Sequence, residues 1–106
     1  MTDPRLAAAT LQVLRAGNAS EDAIAHLEGG NAKDGMKALQ RALASLERAR
    51  DRLSPPAHEA RVMVLESMIA TYENLIASLD RGQPPESVAE SVLSQEGNLW
   101  AAGPLL

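Results

Sequence analysis

Met36, Leu39, Leu43, Leu46, Arg50 and Leu53 recur at alternating steps of three and four, the spacing that draws one narrow apolar seam along a helix. Beyond Pro55 and Pro56 the pattern resumes with Leu65, Met68, Tyr72, Leu75 and Leu79, and Val62, Ile69 and Ile76 lie immediately beside it. Proline interrupts a helix interior, so the pair predicts an antiparallel helical hairpin with arms over about 31–53 and 56–80. The second arm is apolar over a wide arc, more than one neighbour needs to cover, which predicts it as the central element of a bundle or of a dimer. Only Arg50 interrupts the first seam. It is expected either to snorkel at the end of the bundle or to pair with Glu66 or Glu73 on the opposite arm and fix register.

Shorter helices are expected on either side. Thr2 or Asp3 supplies a capping oxygen and Pro4 suits the opening turn of a first helix ending near Ala16, where Gly17 and Asn18 can close it. Ser20 then caps a short helix through Glu28, stopped by Gly29 and Gly30. Gly82 terminates the second arm, and Pro84 and Pro85 open a last helix over about 86–95 that presents Val88, Val92 and Leu93. Strand-like alternation is missing. The expected fold is all-α: a helical bundle built on the long antiparallel hairpin with short flanking helices, with residues 1–96 as one domain and 97–106 as an apolar C-terminal tail. That tail carries Leu99, Trp100, Leu105 and Leu106 on a segment whose Gly97, Gly103 and Pro104 argue against a long helix. Burying such side chains is worth roughly 1.5 to 3 kcal/mol each. The tail is therefore expected either to fold back on its own bundle or to dock on a second copy or another partner.

Composition narrows the function classes. The 106 residues suit one domain with a real core. The absence of cysteine excludes disulfides, thiolate metal sites and cysteine nucleophiles. A net charge of -4 with both signs interspersed argues against a phosphate-neutralising surface, so no nucleic acid partner is expected. The cluster Arg41, Arg48, Arg50 and Arg52, relieved by Glu47 and Asp51, is read as a solvated helix face. No basic start followed by an apolar stretch opens the chain, and no apolar run is judged to approach a membrane span. The expected localisation is cytoplasmic, without membrane contact. Ala38, Ala42, Ser45 and Ala49 run along one side of the first arm. They are read as helix formers beside the leucine seam, with a second contact line as the alternative.

Candidate chemistry is sparse. Asp22 with His26, and His58 with Glu59, are too few for a metal centre, and His58 is read as a surface residue in a first helical turn. No serine lies in a Gly-x-Ser-x-Gly turn, and Gly29, Gly30 and Gly35 lack the lysine and hydroxyl of a nucleotide cradle. Ala25-His26-Leu27-Glu28-Gly29-Gly30 resembles the phosphoacceptor segment of histidine phosphotransfer domains, which implies a four-helix bundle phosphorylated at His26; Glu28 stands where that family places lysine. Gly30-Asn31-Ala32-Lys33-Asp34-Gly35, continuing through Leu39, Ala42 and Leu43, is similar to the second helix of a tetratricopeptide unit, which implies close packing of paired helices. No 34-residue repeat accompanies it.

These readings converge on a non-catalytic protein-protein interaction module: an adaptor, a small chaperone or an inhibitory regulator, without cofactor or metal. The contacts are expected at Val62, Leu65, Ile69, Tyr72, Ile76, Leu79, Leu99, Trp100, Leu105 and Leu106. The partner is another protein, a second copy in a homodimer being one form of it. The alternatives are a phosphotransfer domain using His26 and a structural subunit whose self-association is its function.

Overall fold

A computed structural model describes residues 3–53 and 56–102, which form four helices: α1 (Pro4–Glu28), α2 (Ala32–Asp51), α3 (Glu59–Asp80) and α4 (Pro85–Ala102). Local chemistry explains most of their ends. The Asp3 carboxylate accepts from the Arg5 amide at 2.9 Å, and Pro4 fills the first turn of α1. The Asn31 side chain caps α2 by accepting from the Asp34 amide at 3.1 Å. Gly30 and Gly82, at φ 78° and 91°, turn the chain out of α1 and α3 in a conformation that only glycine adopts freely.

The all-α bundle stands, but the helices around the hairpin are not short: α1, with 25 residues, is longer than α2 or α3. Gly17 does not end it. The helix continues because Gly17 is the notch against which the Trp100 ring rests; a Cβ there would lie 2.7 Å from the ring. Ser20 is consequently not a cap but a buried residue in the middle of α1. At the other end, α4 runs through Gly97 to Ala102 instead of stopping near Gln95. A mid-helix glycine costs only about 1 kcal/mol, and the continued helix buries Leu99.

The centre of the molecule also differs from the expectation. α1 packs most extensively on α2 and next on α4, α2 packs on α3, and α3 meets α4 only sparsely. α1 is thus the best-covered helix. Its Ala9, Ala16, Gly17, Ala19 and Ala23 are buried and small, which lets neighbours approach closely on two sides. Ala38, Ala42, Ser45 and Ala49 of α2 are all buried as well, a second contact line beside Leu39 and Leu46. Gly35 of α2 leaves room for Leu27 of α1. With the Asp22–Arg41 pair, this contact runs α1 and α2 in opposite directions. Trp100 on Gly17 and Glu86 near Gly30 do the same for α1 and α4. The molecule measures 45 × 20 × 18 Å.

α3 departs from expectation in one more way. Among the described residues it is long and apolar enough to cross a membrane by length and composition, with a mean hydropathy of 1.2, although Glu66 and Glu73 lie in its middle. Only 28% of that stretch is buried. The apolar content of α3 exceeds what the core consumes.

Candidate interaction surface

The expected contact residues fall into three groups. Leu65, Ile69, Tyr72 and Leu79 of α3 and Leu99 of α4 are buried in the core. Val62 and Ile76 are half-buried against that core, and Trp100 is half-buried on Gly17. Leu105 and Leu106 lie outside the described residues. The face chosen from the sequence therefore mostly points inward, because the same spacing that marks an interface marks a core.

Tyr72 shows how firmly that face is committed. The Ser20 hydroxyl donates to the Ala16 carbonyl at 2.8 Å, so the Tyr72 hydroxyl donates to Ser20 Oγ. Burial pushes the phenol up to about 12, with the Glu96 charge adding to the rise. The phenol stays neutral and holds α3 to α1 across the core.

The opposite side of α3 is exposed. Ala60, Met63, Val64, Ser67, Ala70 and Asn74 all face solvent, with Met63 64% and Val64 45% exposed. Ala60, Val64, Ser67, Thr71, Asn74 and Ser78 repeat the alternating four-three spacing over the whole helix without one charge. Glu59, Glu66 and Glu73, seven apart and exposed, form an acidic line along one edge. Beyond that edge, a groove of about 490 Å³ between α2 and α3 is lined by Met36, Leu43 and Ile76 among Gln40, Glu73 and Asp80. The sequence did carry the outer stripe. Its small residues hid it, since only large side chains register in an apolar seam.

A second groove, about 320 Å³, lies between α1 and α2 with a floor of Ala19, Ala44 and Ser45 and arginines at 15, 41 and 48 around it. Arg41 reaches Asp22 at 3.4 Å, with both side chains well exposed. Arg50 is half-buried and lies 3.4 Å from its neighbour Asp51, so its contact is with Asp51 rather than with Glu66 or Glu73, both of which are exposed.

The remaining candidates are dispersed. His26 is half-buried in the last turn of α1, followed by Glu28, and its carbonyl accepts from the Asn31 amide at 2.8 Å. His58 is not a surface residue: it is buried just before α3, with Nε2 3.0 Å from the Asp3 carboxylate, which ties the α2–α3 connection to the start of α1. Among the described residues no group of three or more His, Asp or Glu is placed to hold a metal ion. Glu21 of α1 and Glu96 of α4 share a hydrogen bond that, with their mutual repulsion, holds the Glu21 carboxyl above its ordinary value. Glu96 also accepts from Trp100 Nε1 at 2.8 Å. No family model matches the chain, and neither the curated proteins nor the solved structures contain a match.

Proposed function

We propose that this chain is a non-catalytic helical interaction module that meets its partner through the outer face of α3. The observation that carries this reading is the exposed apolar pair Met63 and Val64 on an outer face of α3 that is otherwise uncharged through Ala60, Ser67, Ala70 and Asn74, on a helix whose apolar content is only partly used by the core. An exposed apolar pair set in an uncharged face suits a helix laid alongside. The acidic edge describes the partner further. In a two-fold antiparallel pairing of two copies through α3, each edge meets its own copy, and Glu66 would face Glu73. Like charges facing each other oppose that pairing. A separate protein with an apolar helix stripe flanked by basic residues fits better than a second copy, and supports an adaptor, chaperone or inhibitor over a self-assembling subunit.

Substituting both Met63→Glu and Val64→Glu tests this. The immobilised wild-type chain should retain from an extract of its own cells a protein that the doubly substituted chain does not, while both melt at the same temperature. Equal retention by the two chains would remove α3's outer face as the contact.

A further inference from the structure

The groove between α1 and α2 is a separate surface with its own chemistry, and we propose that it binds an acidic peptide segment of a partner protein. In a chain of net charge -4, arginines 15, 41 and 48 gather around one groove against a single carboxylate, Asp22. Only Arg41 reaches that carboxylate, loosely at 3.4 Å and with both side chains largely exposed. Arg15 and Arg48 make no ion pair among the described residues. Ala19, Ala44 and Ser45, small residues of α1 and α2, form the groove floor and leave space between the arginines. Repulsion among the arginines weakens the fold slightly, so the cluster is not there to stabilise it.

Spacing selects the ligand. Arg41 and Arg48 are seven residues apart on one helix, roughly 10 Å along its axis at 1.5 Å per residue. One phosphate or one carboxylate cannot bridge that gap, whereas acidic side chains two turns apart on a helix, or three residues apart on an extended strand, match it. Guanidinium forks bind such carboxylates in pairs of hydrogen bonds. A nucleic acid is the poorer match, because its phosphates would meet Asp22 in the groove and a net negative protein around it.

The experiment is fluorescence polarisation with a labelled helical peptide carrying glutamates seven residues apart, its glutamine counterpart, and tripolyphosphate as an unlabelled competitor. The glutamate peptide is expected to bind and the glutamine peptide not to. Arg15→Gln with Arg48→Gln should weaken binding by about tenfold or more, Asp22→Asn should tighten it, and Arg81→Gln, on the exposed end of α3, should leave it unchanged. Circular dichroism melts establish that each variant is folded. Absence of binding by the glutamate peptide, equal binding of both peptides, or indifference to the double arginine substitution would overturn the proposal. So would arginine-dependent binding of tripolyphosphate without peptide binding, which would make the groove a small-anion site.

Discussion

Gly17 and Gly97 both sit inside helices, yet they answer to different physics. Gly97 has open space where a Cβ would go, and Gly17 has the Trp100 ring. Gly97→Ala should therefore stabilise the fold by up to about 1 kcal/mol through helix propensity. Gly17→Ala should displace Trp100 and shift its fluorescence to longer wavelength, whatever it gains in propensity; unchanged emission would contradict the notch. Ser20→Ala removes the acceptor for the Tyr72 hydroxyl and should cost roughly 1–3 kcal/mol in chemical denaturation. Two carboxylates set opposite pH responses. Asp3 is held below its ordinary value of 3.8, first by the Arg5 amide and then by His58, so its contribution is complete above that value and is lost as pH falls through it and below. Glu21 is held above its ordinary value of 4.5 by Glu96; its ionisation opposes folding at neutral pH, and that opposition fades as pH falls through the raised value. Asp3→Asn should flatten the acid limb of the stability profile, and Glu21→Gln should raise the melting temperature at pH 7. Opposite shifts would refute these assignments.

At the scale of the element, the two sides of α3 differ in burial. Leu65→Ala, at a fully buried position, should cost about 2–5 kcal/mol. Met63→Glu, on the exposed side, should change stability by no more than about 0.5 kcal/mol. Equal costs at the two positions would mean that the helix is turned differently. The helices α2 and α3 were legible in the sequence because Leu39, Leu46, Leu65 and Leu79 advertise a seam by size alone. What was not legible was which neighbour each seam would meet. Gly17 and Gly97 read as stops because glycine is a poor helix former in isolation, and only the contacts of Trp100 and Leu99 reverse that reading. The alanine line of α2 was visible as spacing, but its meaning depended on α1 being equally small along its facing side.

Across the whole molecule, the best-packed pair is α1 with α2, and α3 meets α4 only sparsely. The bundle closes around small residues on one side and leaves its most apolar helix thinly covered on the other. That asymmetry is why Leu65, Ile69, Tyr72 and Leu79, whose spacing suits a contact face, serve the core while Met63 and Val64 remain outside. It also separates two surfaces of different chemistry, a neutral stripe with an acidic edge on α3 and an arginine groove on α1 and α2. The measurement that tests the central claim most directly is photo-crosslinking from a benzophenone side chain placed at Ser67, compared with one at the exposed Glu90 of α4. An intermolecular adduct from position 67, absent at position 90 and lost when Met63→Glu is added, is the result predicted. No adduct from position 67, or adducts of equal yield from both positions, would contradict the assignment of α3's outer face as the contact.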